Sequence, residues 1–585
     1  MAALISAVAA ISTGVISTEI PTVDLGYSIH QATLSSNDFT TCKSSGSSRQ
    51  YHYLNFSNIR YGQAPVGSLR FAAPTSPQGR NTTINNGQHD FICPQAMPAW
   101  PLAAEDFVND YLNGQNVNNF TNSAYEIPAR STSLSVDPRS NEDCLLLDVI
   151  VPQNIFNATA AKNTGNETSA PVLVWIHGGG YVYGSKTSSG NPASLIAASQ
   201  ENGKEGVVYV VMNYRLGLFG WLAGDSNVTA NAGLLDQRLA LEWVQTNIHL
   251  FGGDPNRVTV MGQSSGAGSI LHHITAYGGT RGPVPFQRAI PQSPAFMPIV
   301  PTQAKALFRN VIGNASLYSN TTVTTASQLR NLPYEVLSGV NNMITGKSGY
   351  GQFTFGPIVD GSYVPDFPLR LLSRRAFDNN VDILVGHNRN EGLLFANPAV
   401  QTQSKFISTL NQALPSADAS VIFHIANVLY PPIYNGSYGY ISPIGRLALS
   451  ISHFTVTCNA YSLATTFSNI SLKNLSSSSS SSSYAYLFSI SPGIHGIDIP
   501  YTFFNGNTTS STSDKRPSVI PSIAIAFQEY LMNFVISGNP SNGTFGGYYK
   551  NQTVTKIGIT GFRQIKDPAA DIRCDYWLQF PYYRE

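Results

Sequence analysis

Ser264 stands in the run Arg257-Val258-Thr259-Val260-Met261-Gly262-Gln263-Ser264-Ser265-Gly266-Ala267-Gly268-Ser269, where a β-branched segment meets a G-x-S-x-G pattern and then small, helix-tolerant residues. A strand that enters a helix through so tight a turn forces the central serine into a strained backbone conformation and lifts its hydroxyl clear of the sheet edge. A nucleophile has to stand in such a place. Gly262 and Gly266 flank it where a β-carbon would collide as strand and helix close on each other. The chain has 49 glycines, so the pattern alone is weak. Its context strengthens it: a strand before, and after it a helix start whose first N–H groups face any anion formed at Ser264.

A second glycine run complements the first. His177-Gly178-Gly179-Gly180-Tyr181 follows directly on an apolar segment ending at Ile176. An ester carbonyl attacked by a hydroxyl passes through a tetrahedral oxyanion, and preset backbone N–H groups stabilise it; losing one such donor costs roughly 2.7–4 kcal/mol. Glycines let the backbone come that close. A plain strand-to-loop turn also uses glycines, and it is the two patterns in one chain that favour the chemical reading.

Groups of this kind need a rigid frame. Segments 142–151, 171–176 and 206–212 read as buried strands. The spacing of Leu234, Leu235, Leu239, Leu241, Trp243, Val244 and Ile248 predicts a helix over 231–250, stopped by Gly252-Gly253-Asp254-Pro255. Strand, helix, strand, glycine turn, helix is the alternation of a parallel sheet covered on both faces. Further strands are predicted from Tyr53 onward, over 383–386 and over 484–490, and a helix over 524–536. Residues 94–140 read as a surface excursion with one short amphipathic piece over 103–112. The eight consecutive serines from Ser476 to Ser483 have nothing to pack and predict a mobile surface loop.

Charged residues make up only 11% of the 585, and they balance to +1, so no global field favours nucleic acid or an anionic membrane. Fourteen N-x-[ST] sequons are consistent with a glycosylated, secreted chain. Residues 1–18 carry an apolar run followed by small residues and read as a signal peptide; no later stretch reaches the roughly 18 apolar residues of a spanning helix. Of five cysteines, Cys93 and Cys144 bracket one loop-rich segment, Cys458 and Cys574 bracket another, and Cys42 is left over. There is no internal repeat, no zinc-like ligand spacing and no phosphate-cradling glycine loop.

Several stretches carry a family resemblance: Pro65-Val66-Gly67-Ser68-Leu69-Arg70-Phe71, Glu142-Asp143-Cys144-Leu145, Asn213-Tyr214-Arg215-Leu216-Gly217, and Asp236-Gln237-Arg238-Leu239-Ala240-Leu241 through Phe251-Gly252-Gly253-Asp254-Pro255 into the Ser264 turn. On these the chain resembles the type B carboxylesterases, the α/β-hydrolase family that includes cholinesterases and some fungal lipases, and among them its secreted fungal members. The resemblance implies an α/β-hydrolase fold: a large, mostly parallel central sheet with helices on both faces and long loop and helical insertions. It also implies one catalytic domain over 19–585.

The same resemblance implies site residues. The family uses Ser, Glu and His in that chain order. Asn388-Arg389-Asn390-Glu391-Gly392 matches the stretch around the acid, and Gly493-Ile494-His495-Gly496 the one around the base. Ser264, Glu391 and His495 are therefore the expected catalytic residues, with Gly179, Gly180 and Ser265 as the oxyanion hole. Implied disulfides join Cys93 to Cys144 and Cys458 to Cys574. No metal or organic cofactor is expected, and the partner is a small-molecule or lipid-like ester; oligomeric state is open. From the residues alone, eleven histidines compete for the base, His177 foremost after His495, and Asp360 rivals Glu391.

Departures from the cholinesterases bear on specificity. They carry a glutamate before the nucleophile, where this chain has Gln263, and their choline-stacking tryptophan lies further past the first cysteine than Trp100 does here. Choline esters are not the expected substrates. Trp100, Tyr181, Tyr183 and Phe296 are pocket aromatics or ordinary core. The leading function is hydrolysis of carboxylic esters through an acyl-enzyme. The alternatives are a dedicated ester-cleaving or acyl-transfer enzyme of secondary metabolism, and a non-catalytic adhesion member of the same fold.

Overall fold

The computed structural model describes residues 20–37, 51–114, 137–160, 169–297, 299–473, 482–506, 518–541, 543, 546–548 and 551–579. Its strands begin with β1 (Thr22–Asp24), β2 (Ser28–Gln31), β3 (Thr33–Asn37), β4 (Tyr51–Arg60), β5 (Asn81–Asn85), β6 (Leu146–Pro152) and β7 (Ala170–Ile176). They continue with β8 (Val208–Met212), β9 (Gly253–Gln263), β10 (Arg288–Gln292), β11 (Asp382–Asn388), β12 (Ser483–Phe488), β13 (Thr553–Gly558) and β14 (Gly561–Lys566). β1, β2 and β5 make a small separate sheet, and the other strands form one 11-stranded sheet in the order β14-β13-β12-β11-β10-β9-β7-β8-β6-β4-β3.

From β8 to β13 every pairing is parallel. At both ends the sheet turns antiparallel, β13 with β14 on one side and β8, β6, β4 and β3 on the other. The sheet is thus mixed, with a parallel centre. β6, β7 and β8 are buried along their whole length, as continuous apolar runs require when helices flank a sheet. Each Val, Leu or Ile so buried is worth about 1.5–3 kcal/mol. The helix Ser265–Ile274 packs on β9 and β10, Cys458–Lys473 on β11 and β12, and Pro521–Ser537 on β7.

The helix predicted over 231–250 is Ala232–Asn247, continued by a short turn to Phe251, and it buries Leu234, Leu241, Trp243 and Val244. Leu235 and Leu239 are only half-buried. Two expectations need correction. Within the segment read as surface excursion, the helix Trp100–Leu112 buries Trp100, Ala104 and Phe107, so one face of it is core. Of the serine run, Ser483 is buried in β12, and the Ser482 N–H donates to Asp382 Oδ1 at 2.6 Å; residues 476–481 lie outside the described residues. Cys42 and the predicted signal peptide also lie outside them.

The motifs that carry the family resemblance contain buried ion pairs. Arg70 grips Glu142 with two bonds of 2.6 Å and also donates to the carbonyls of Arg330 and Leu332. Arg215 holds Asp236 at 2.8 and 2.7 Å, with both side chains almost wholly out of solvent. A bidentate guanidinium–carboxylate pair is the geometry that makes such burial tolerable. Disulfides join Cys93 to Cys144 and Cys458 to Cys574. Among the described residues, no helix is long and apolar enough to cross a membrane.

Candidate active site

The site lies at the carboxyl ends of the central parallel strands, where ligands of open α/β sheets are bound. β9 ends at Gln263, and the next residue, Ser264, takes φ 58° and ψ −125° before the helix Ser265–Ile274 begins. Side chains rarely adopt that conformation, so the turn is strained in the way the sequence pattern predicts. Its tightness shows in the glycines. A β-carbon on Gly266 would stand 2.1 Å from the carbonyl oxygen of Ile176 on β7, and one on Gly262 would be 2.9 Å from the Gly266 backbone.

Glu391 follows the end of β11, and His495 lies on the loop after β12. Asn390 stitches the two loops together. Its N–H donates to Gly493 O at 2.7 Å, and its side-chain amide donates to Pro492 O at 2.6 Å. The structure therefore brings together three residues far apart in sequence. His495 Nε2 is 2.7 Å from Ser264 Oγ, and His495 Nδ1 is 2.5 Å from Glu391 Oε2. With the ring proton on Nδ1 facing the carboxylate, the Nε2 lone pair faces the serine hydroxyl.

Glu391 is fully buried, and its second oxygen accepts from Ser293 Oγ at 2.6 Å and from the Asn388 N–H at 2.5 Å. Burial pushes its pKa up, but the charge of His495 and the hydrogen bonds from His495, Ser293 and Asn388 together hold it below the ordinary carboxylate value. A second buried carboxyl stands behind it. Asp498 accepts from Asn388 Nδ2 at 3.2 Å and from the Tyr486 hydroxyl at 3.1 Å. Burial first, and then repulsion from Glu391, raises its pKa to about 6.

The glycine run after β7 sits beside the serine. Gly179 has φ 110°, and a β-carbon there would meet the Tyr183 carbonyl oxygen at 1.9 Å, so only glycine fits. Among the described residues, the N–H groups of Gly179, Gly180 and Ser265 donate no backbone hydrogen bond. Gly180, Ser264 and Ser265 border one cavity, and Gly179, Gly180 and Ser264 border another.

The rival candidates are placed elsewhere. His177 is buried, stacks on Tyr214 with ring centroids 4.4 Å apart, and turns Nδ1 to Gly178 O at 2.8 Å. Burial lowers its pKa to about 4. Asp360 closes a turn, accepting from the N–H groups of Ser362 and Val364 and from Asn231 Nδ2. Trp100 and Tyr183 border the larger cavity, and Tyr181 and Phe296 the smaller. Sequence reasoning missed Ser293, Asn388, Phe353 and Phe395. Ser293 follows β10, whose Pro291 argues against a central strand, and the two phenylalanines stand in loops without any periodic signal.

Known proteins agree with this architecture. The family model described as "Carboxylesterase family" matches residues 42–577. The chain is 37% identical over 580 residues to carboxylesterase patB of Penicillium expansum, covering 97% of each chain. It is 38% identical over 571 residues to carboxylesterase patB of Aspergillus clavatus, covering 95% of this chain and 96% of that one. The crystal structure of Aspergillus niger EstA superposes with a TM-score of 0.73 at 24% identity, over 96% of this chain and 98% of that one, which speaks for the fold. This chain belongs to the carboxylesterase family and is a carboxylic ester hydrolase with an α/β-hydrolase fold.

Proposed function

We propose that Ser264, His495 and Glu391 act as nucleophile, general base and orienting acid of one catalytic unit, within a single catalytic domain. The observation that supports this most directly is the pair of short contacts His495 makes, to Ser264 Oγ at 2.7 Å and to Glu391 Oε2 at 2.5 Å. As His495 Nε2 takes the serine proton, Ser264 Oγ bonds to the acyl carbon, and Glu391 stabilises the imidazolium that forms. The N–H groups of Gly179, Gly180 and Ser265 hold the oxyanion. The bond to the alcohol oxygen then breaks, His495 returns the proton to that oxygen, and water cleaves the acyl-enzyme by the same relay.

A secreted, glycosylated chain fits this reading. The two disulfides suit an oxidising compartment, and the sequon asparagines at 81, 157, 227, 320, 435, 469 and 551 are exposed.

The test is a set of alanine substitutions. Ser264→Ala should lower kcat by on the order of 10⁶, His495→Ala by a similar amount, and the double variant should be barely worse than either. A Ser264→Ala enzyme that keeps a tenth of the parent turnover would place the nucleophile elsewhere. Losses that add in the double variant would break the unit. Full loss with the fold intact also excludes the non-catalytic adhesion reading.

A further inference from the structure

The glycine turn after β7 is held mostly by main chain. Gly179 O accepts from the Val182 and Tyr183 N–H groups at 3.1 Å each, which closes the turn on itself. From outside, the Gly217 N–H donates to Tyr181 O at 2.9 Å, and the Ala96 N–H donates to Val182 O at 3.0 Å. One further anchor is a side chain: the Gly184 N–H donates to Gln95 Oε1 at 2.9 Å.

Gly184 is the point where the turn presses back on its own start. It has φ 116°, and a β-carbon there would stand 2.5 Å from His177 Nδ1 and 2.7 Å from Gly178 O. Gly178 in turn lies against the nucleophile, since a β-carbon on it would be 2.8 Å from Gln263 O and 3.1 Å from Ser264 Cβ. Close contacts therefore run without a gap from Gln95 through Gly184 and Gly178 to Ser264. Packing of this density leaves no void to absorb a shift, so a displacement at one end is felt at the other. Donors that stabilise an oxyanion work only while aimed at it, and a misplacement of about 1 Å can cost on the order of 10²-fold in rate.

Gln95 is itself fixed from behind. Cys93, two residues before it, is bonded to Cys144 just ahead of β6. The Ile92 N–H donates to Arg139 O and the Asn141 N–H to Ile92 O, both at 3.0 Å, and Asn213 Nδ2 donates to Phe91 O at 2.8 Å. Gln95 borders neither cavity beside Ser264, so its influence on the reaction runs through Gly184.

We propose that Gln95 is a positioning residue of the oxyanion hole, seating the turn so that the Gly179 and Gly180 N–H groups stay aimed at the oxygen of a tetrahedral adduct on Ser264. The proposal rests on the roles argued above for Ser264, Gly179 and Gly180. An ester in its ground state is held by the cavity walls and makes little use of those N–H groups. Loosening the turn therefore weakens the transition state and spares substrate binding.

The experiment uses the full-length purified enzyme and Gln95→Met, which removes the acceptor and keeps the length of the side chain. With p-nitrophenyl acetate, kcat should fall about 10- to 100-fold while KM stays within about twofold. Phenyl trifluoromethyl ketone supplies the second readout. Ser264 Oγ adds to its carbonyl carbon, the π electrons go to the carbonyl oxygen and the serine proton to His495, and no leaving group departs, so the adduct keeps its oxyanion. Affinity for this ketone should fall by the same factor as kcat/KM. Gln95→Ala serves if the methionine variant does not fold. An unchanged kcat, a loss confined to KM, or a fall in kcat with ketone affinity intact overturns the proposal. Failure of the underlying roles looks different: a fluorophosphonate leaves Ser264 of the parent unlabelled, or the parent binds the trifluoromethyl ketone no tighter than phenyl methyl ketone.

Discussion

Ser293 donates its hydroxyl hydrogen to Glu391 Oε1 at 2.6 Å, while His495 Nδ1 meets the other carboxylate oxygen at 2.5 Å. The Glu391 carboxylate is thereby held from both sides, out of reach of solvent. Hydrogen bonds to a charged group are worth about 1.5–3 kcal/mol. Ser293→Ala should lower kcat about tenfold while leaving KM nearly unchanged, because it frees the carboxylate to rotate without touching substrate. Steady-state kinetics on one p-nitrophenyl ester checks this. A kcat within a factor of two of the parent would show that Asn388 and His495 position Glu391 unaided.

Gln263 should leave the enzyme with little preference for cationic alcohols. Its side chain is neutral, with Nε2 3.4 Å from His495 Nε2. Trp100, the other feature that could attract a quaternary ammonium group, is 2% exposed and covered by Tyr350, Phe353 and Phe395. Little of the Trp100 ring is left open to a cation. Acetylcholine and its neutral isostere 3,3-dimethylbutyl acetate should have kcat/KM values within about tenfold of each other. A larger advantage for acetylcholine refutes this.

Asp236→Ala should destabilise the fold by about 3–5 kcal/mol, since it strands the buried Arg215 guanidinium without a counter-charge. Asp236 also accepts from the Arg215 N–H at 3.0 Å, so the loop after β8 loses an anchor as well. Urea denaturation followed by tryptophan fluorescence measures it. A midpoint equal to the parent's would mean that the pair contributes nothing net.

Stability should fall as pH drops from about 6.5 toward 4. Burial lowers the pKa of His30, His177 and His272 to about 4 each, and that of His453 to about 3. Folded pKa values below the unfolded value mean stability that is present above about pH 6.5 and lost as pH falls through the folded pKa. Glu391, held below the ordinary carboxylate value, adds to the loss at the acid end of this window. Asp498 works the other way: its folded pKa of about 6 favours the folded state as pH falls below that value. Asp382, whose pKa burial also raises, acts in the same direction, but two opposing carboxyls do not offset the four histidines together with His273, whose pKa burial holds well below its ordinary value. Urea midpoints at pH 7.5, 5.5 and 4.5 should decrease in that order, and a midpoint that rises on acidification would contradict the balance.

The alternation of buried apolar runs with a 3.6-residue helical pattern was enough to place β6, β7, β8, β9 and the helix Ala232–Asn247, because in these elements local propensity and burial agree. The strained turn at Ser264 was legible for the same reason: a glycine two residues to either side of a serine, between a β-branched run and a helix start, leaves few other conformations. That Glu391 and His495 would stand beside Ser264 was implied only by family resemblance, since eleven histidines and many carboxylates are chemically equivalent in a list of residues. What joined them to Ser264 is the parallel pairing of β9, β10, β11 and β12, which sets their carboxyl ends side by side although 231 residues separate Ser264 from His495. β10 escaped notice because Pro291 breaks its strand signal, and with it went Ser293. The bracing of the glycine turn was likewise decided by tertiary structure alone. Gln95 and Gly184 lie 89 residues apart, and a lone glutamine near a cysteine carries no periodic signal; only the packing of residues 92–96 against the loop after β7 sets one against the other.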